Sequence, residues 1–162
     1  MRENIRIYRG FHETKVGNST VIIDGKKVKG DWCYGCLLRD YYSEIYAIVP
    51  YVNLGGNIHD LSEICIFSVI PKTVGQYIGI TDNNNRMIYE GDIVQTLEVD
   101  KETGGFRCFP VVFRKAAFWL YDKYLIDNEH LDFIGGYRQD ALKVIGNIYD
   151  NPKLMESEEK NG

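Results

Sequence analysis

Arg86-Met87-Ile88-Tyr89-Glu90-Gly91-Asp92-Ile93-Val94 is the stretch on which the fold turns. An apolar strand runs to Tyr89, the chain turns through Glu90-Gly91-Asp92, and a second apolar strand begins at Ile93. Gly91 can take a positive φ that other residues avoid. Asp92 can hydrogen-bond its own backbone nearby and fix the turn. A small closed barrel needs a strand–turn–strand corner of this sort to change direction. Glu90, Gly91 and Asp92 are therefore read as a structural turn. Paired acids can divide general acid and base roles. Here the two acids flank a turn glycine, where acids are common for backbone reasons, and the turn reading is preferred.

Working outward, residues 77–80 and 87–89 form a hairpin around Asp82-Asn83-Asn84-Asn85. Beyond Ile93 the strand pattern is regular, with Ile93, Leu97 and Val99 on one face. Gly104-Gly105 breaks it and residues 106–113 resume it, with Pro110 placing that point at an edge or bulge. Residues 116–121 follow a tight turn. Residues 122–140 are polar and irregular, with a helical turn expected at 128–133. Residues 142–149 are the last strand, bent at Gly146.

Upstream, Ile5 and Ile7 alternate with polar residues and open a first strand. Val21-Ile22-Ile23, Asp24-Gly25 and Lys26-Lys27-Val28 make a hairpin, Asp-Gly being a strong short-range hairpin cue. Residues 32–38 read as a separate strand. Residues 41–51 read as extended, with a short helix the alternative for their early part. Gly55-Gly56 lies in a loop, residues 59–64 suit one helical turn, and residues 64–70 form a short strand stopped by Pro71. No stretch carries a sustained helical period. The expected class is mainly β: an N-terminal β-rich region over 1–72, a five-stranded small barrel over 73–152, and an acidic, disordered tail over 153–162.

The 162 residues are 44% hydrophobic and 26% charged, the balance of an ordinary globular chain. A net charge of −4 argues against a broad nucleic-acid surface, which needs clustered Lys and Arg, while leaving room for a small basic patch. No apolar run approaches the roughly 18 residues of a membrane span. Met1-Arg2-Glu3 leads into a charged segment unlike a secretory signal. The expectation is a cytoplasmic protein whose four cysteines are reduced thiols. Tyrosine supplies 12 of the aromatic residues, in keeping with strands and interfaces.

Three segments resemble the YopX proteins of bacteriophages and prophages. Thr73-Val74-Gly75-Gln76-Tyr77-Ile78-Gly79, with its Asp/Asn-rich turn, is similar to the family's T-V-G-Q-x-T-G-x-x-D. Ile88-Tyr89-Glu90-Gly91-Asp92-Ile93-Val94 is similar to its I-Y-E-G-D-I-V core. Val144-Ile145-Gly146-Asn147-Ile148-Tyr149-Asp150-Asn151-Pro152 is similar to its closing V-I-G-N-I-Y-x-N-P. Arg6-Ile7-Tyr8-Arg9-Gly10 and Trp32-Cys33-Tyr34-Gly35 are weaker echoes. Between Gly10 and Trp32 the chain departs from the pattern, and the role of that insertion is not inherited. The resemblance implies an SH3-like barrel in the second half and a phage or prophage origin. It implies no activity.

Cys33-Tyr34-Gly35-Cys36 has the spacing of half a zinc site. Cys65 and Cys108 offer no second pair. Residues three apart on a regular strand point to opposite faces, so the four are read as packing thiols. His12, His59 and His130 are scattered, and Asp60 and Glu63 beside His59 form no recognised set. No catalytic residue, metal ligand or cofactor site is assigned. Lys26, Lys27 and Lys29, on and just after the Asp24-Gly25 hairpin with Arg6 and Arg9 expected nearby, are candidate nucleic-acid contacts. Edge lysines that block aggregation are the commoner explanation. The function expected is a non-enzymatic binding module acting through contacts with a host or phage protein or through self-association. A nucleic-acid-binding accessory protein is the alternative. A homo-oligomer is expected because a barrel's strand edges need protection.

Overall fold

The computed structural model describes residues 7–40, 42–50, 65–99, 104–122 and 131–155. Their strands form two antiparallel sheets. The chain divides into two compact units, Met1–Gln76 and Tyr77–Gly162. Among the described residues no helix is long and apolar enough to cross a membrane.

The first unit holds β1 (Tyr8–Glu13), β2 (Ser19–Ile23), β3 (Lys26–Arg39), β4 (Tyr46–Pro50) and β5 (Phe67–Val69). Asp24 and Gly25 join β2 to β3 with φ of 50° and 75°. Both being left-handed, the turn matches the twist of the strands it connects. The sequence suggests two strands where β3 runs unbroken for 14 residues. β3 pairs in turn with β2, β1 and β4. Gly30 and Gly35, both within β3, are close-approach points. A Cβ on Gly30 would lie 2.0 Å from the His12 carbonyl oxygen, and one on Gly35 would lie 1.9 Å from that of Val49.

Phe11, Val21, Ile48 and Val69 are buried in this unit. The Phe11 ring meets Trp32 edge-on at 5.4 Å, and the Arg9 guanidinium lies 4.9 Å over the same indole. The buried Thr73 hydroxyl accepts the Phe11 amide at 2.8 Å and donates to the Ile70 carbonyl at 2.7 Å. β4 starts later than the expected strand at 41–51. The Asp40 carboxylate accepts the Tyr42 amide and the Ser43 hydroxyl, turning the chain first. β5 is likewise shorter than the expected 64–70 and ends at a 3-10 turn, Pro71–Thr73. Ile5, the loop at Gly55-Gly56 and the helical turn read at 59–64 lie outside the described residues.

β6 (Gly75–Thr81) crosses the division: Gly75 and Gln76 pair with β1, and Tyr77 and Thr81 pair with β7 (Met87–Tyr89). Then come β8 (Asp92–Thr96), β9 (Cys108–Arg114), β10 (Ala117–Tyr121), β11 (Leu131–Phe133) and β12 (Leu142–Asn147). The last five form one sheet, ordered β11-β10-β9-β8-β12. Its core gathers Ile88, Val94, Phe109, Val111, Leu120, Ile134, Leu142 and Val144.

The expected closed barrel is corrected here: the sheet is open, with β11 and β12 as its two edges. The outer edge of β12 is occupied instead by the turn at Asp82. The Val144 amide donates to the Asp82 carboxylate at 3.0 Å, and the Asn83 amide donates to the Leu142 carbonyl at 2.9 Å. The helical turn read at 128–133 is also corrected. Residues 131–133 are β11, paired with β10, and 3-10 turns follow at Ile134–Gly136 and Gln139–Ala141. Pro110 sits in an inner strand, yet the β9–β10 ladder ends at Val111, so at Pro110 only β8 is paired alongside. The bend at Gly146 is a register shift between Val144 and Gly146. Residues 153–155 belong to a 3-10 turn, Pro152–Met155, rather than a tail; residues 156–162 lie outside the described set.

Candidate functional site

Gly91 has φ of 83° and is wired on both sides. Its amide donates to the Val111 carbonyl at 2.9 Å, and its carbonyl accepts the Ile148 amide at 3.0 Å. Asp92 is fully buried and accepts the Tyr89 amide at 2.8 Å, closing the turn. It pairs with Asn147 across the β8–β12 ladder. The Asn147 side chain accepts the amides of Tyr149 and Asp150 and donates to the Asp150 carboxylate.

Asp82 is 2% exposed and accepts three backbone amides, from Asn84 at 2.8 Å, Arg86 at 2.9 Å and Val144 at 3.0 Å. Burial pushes its carboxyl up. The three amides, with the Arg86 charge, outweigh that and hold it below the usual carboxylate range. Each of the three resembling segments thus reaches this node. Their acids serve as acceptors for backbone amides, which is a structural use and not acid–base chemistry.

The lysine set divides. Lys26, Lys27 and Lys29 are all exposed on β3. Strand alternation puts Lys27 and Lys29, opposite Ile22 and Thr20, on one face and Lys26 on the other. The tip of that hairpin carries an ion pair of its own, Lys72 Nζ to Asp24 Oδ2 at 2.7 Å. Arg9, expected near the lysines, is 2% exposed and lies beneath Trp32. Arg6 lies outside the described residues.

Cys33 and Cys36 occupy one continuous strand, opposite Gly10 and Val49, and face opposite sides. They cannot reach one metal together. Burial, and then the charge of Asp31, pushes the Cys33 thiol up, away from a reactive thiolate. Cys108 lies 3.9 Å from the Gln95 amide, and Cys65 is exposed. His12 binds the Ser68 carbonyl at 2.7 Å and packs edge-on against Phe67. His59, His130, Asp60 and Glu63 lie outside the described residues.

The feature the sequence did not disclose is a groove of about 490 Å³ in the second unit. Three separate segments build it: Thr96 at the end of β8 with Glu98 just beyond, Arg107 just before β9 with Phe109 inside it, and Tyr137 and Arg138 between β11 and β12. The Thr96 amide donates to the Arg107 carbonyl and the Leu97 amide to that of Ala141, both at 2.9 Å, which ties the walls together. Arg107 is ion-paired to the buried Asp122 carboxylate, and its guanidinium lies 4.9 Å over the Phe109 ring. Tyr137 packs against the core and donates to Asp132 at 3.3 Å. Burial, then the Asp132 charge, pushes its phenol up. Arg138 is mostly exposed and pairs with Asp140 at 2.7 Å. The lining thus brings together a planar cation, an aromatic wall and a rim of mixed charge.

The model of the family described as YopX protein matches residues 52–156. No curated protein matches the chain. Among solved structures, the crystal structure of protein EF1440 from Enterococcus faecalis is similar at 20% identity, covering 93% of this chain and 98% of that one, with a TM-score of 0.48. The family match spans more than half of the sequence and includes all three motif segments: the chain belongs to the YopX family.

Proposed function

We propose that this is a non-enzymatic binding module of phage or prophage origin, working in the host cytoplasm through contacts with another protein. The groove of the second unit carries this reading. All of its lining residues lie outside the three segments that mark the family. Its cation is held by Asp122 and Phe109 before any partner arrives, which lowers the ordering cost of binding.

The same unit is read as an SH3-like small barrel left open between β11 and β12. Five strands laid flat span about 19 Å. The eight residues from 134 to 141 join one edge to the other, largely as 3-10 turns that rise about 2 Å per residue. A link of that length favours a strongly coiled sheet wrapped around its single core.

Affinity purification from lysogenic host cells tests the reading. A partner held by the parent chain and lost by Val99→Asp/Arg138→Glu, two exposed groove positions, supports it. The same proteins captured by both forms contradict it.

One observation favours a second reading, self-association. Tyr34, Cys36 and Leu38 line up on one face of β3 and are exposed, Tyr34 at 45% and Leu38 at 48%. Light scattering is expected to give twice the 18.7 kDa of one chain. A mass of one chain at every concentration rejects it.

A further inference from the structure

The geometry points to a second surface, distinct from the groove: the face of β9, β10 and β11 that carries Trp119 is a stacking platform for single-stranded nucleic acid. The ladder registers set opposite one another Arg114 and Ala117, Val112 and Trp119, and Trp119 and Phe133. Residues two apart on a strand share a face, so Arg114, Trp119, Tyr121 and Phe133 look the same way. Phe133 is 54% exposed. The indole of Trp119 meets it edge-on at 5.6 Å and is fixed by donating Nε1–H to the Arg114 carbonyl at 2.8 Å. The Arg114 guanidinium spreads 5.0 Å over the Tyr121 ring.

Charge selects the occupant. Each of the paired cations described elsewhere meets a carboxylate: Lys72 meets Asp24, Arg107 meets Asp122 and Arg138 meets Asp140. Among the described residues Arg114 and Lys115 have no acidic partner, and the strand positions on this face include no acid. Lys115 and Ala116 form the hairpin tip with φ of 47° and 60°, where glycine or asparagine would be less strained. The tip therefore presents a lysine in a costly conformation beside an arginine and an aromatic row in which Trp119 and Tyr121 are half-buried and Phe133 is exposed. Flat rings flanked by cations that meet no acid among the described residues match an unpaired strand, whose bases stack on aromatics and whose phosphates bind cations. An acidic protein segment would use the cations but not the rings.

The test is fluorescence anisotropy of a labelled oligothymidylate of about 16 nucleotides at low ionic strength, with the full chain. Saturable binding is expected, weakened about tenfold by Trp119→Ala and largely kept by Trp119→Phe. In Arg114→Gln/Lys115→Gln the slope of log affinity against log salt is expected to fall by about 1.4, two phosphate contacts being lost. This double variant decides the matter if Trp119→Ala does not fold. Lys27→Gln/Lys29→Gln, in the first unit, is expected to bind like the parent. The proposal is overturned by no rise in anisotropy, or by affinity and salt slope unchanged in the Arg114/Lys115 variant. Displacement by polyglutamate as readily as by unlabelled oligonucleotide also overturns it and assigns the face to acidic proteins.

Discussion

The carboxylate of Asp82 accepts the backbone amide of Val144 at 3.0 Å, across 62 residues of chain. The same side chain closes its own turn through Asn84 and Arg86. One acid thus shapes a hairpin and caps the outer edge of β12, where an open ladder would otherwise invite another strand.

Asp82→Ala is expected to lower stability by roughly 2–4 kcal/mol, because the buried Val144 amide loses its acceptor. Asp82→Asn should recover little of this, since one side of its amide presents a donor where a donor already waits. Urea denaturation measures both. A parent-like midpoint for either variant removes the capping role.

Stability should also depend on Asp82 through pH. Its carboxyl sits below the ordinary value of 3.8, so the unfolded chain binds the proton more readily than the folded one. Its contribution is complete above about pH 4 and is lost as the pH falls through the lower, folded-state value. Asp40 shifts the same way, through the Ser43 hydroxyl and then the Tyr42 amide, from a fully exposed position. The difference between parent and Asp82→Ala therefore isolates the buried carboxylate. The gap between their melting temperatures should be constant above about pH 4 and narrow as the pH falls below 3.8.

Gly91 holds φ of 83° between two cross-strand hydrogen bonds. Gly91→Val is expected to cost more than about 1 kcal/mol, since a β-branched residue strains there. A thermal melt indistinguishable from the parent's contradicts this.

Gly35 makes a different demand, one of space. A methyl group there would stand 1.9 Å from the Val49 carbonyl oxygen, and a backbone cannot swing aside as a side chain can. Gly35→Ala is expected to cost about 3 kcal/mol and to separate β3 from β4. Gly25→Ala meets nothing within 4 Å and should cost only its backbone strain, so a melt comparing the two separates packing from conformation.

What could be read from sequence was local. Asp24-Gly25, the Asp82 to Asn85 turn, the corner at Gly91 and the bend at Gly146 are each set by a few adjacent residues, and each stands in the structure. The opposite facing of Cys33 and Cys36 followed from strand alternation alone. The rest depends on distant partners. The continuity of β3 through Gly30 and Gly35 was not legible because the purpose of these glycines lies in the neighbouring strands. The open sheet could not be foreseen without knowing that Asp82 covers β12. The groove escaped notice because Thr96, Arg107 and Tyr137 come from three segments, none of which is distinctive alone.

The central claim is that the family's marker segments are a structural lock on the second unit, leaving binding to the surface around it. Native-state hydrogen exchange at the amides of Tyr89, Gly91, Val144 and Ile148 tests this most directly, since all four donate into the lock. The account predicts that they exchange only through global unfolding, as slowly as the slowest amides of the β8–β9 ladder. Fast exchange at these four while that ladder stays protected would contradict it.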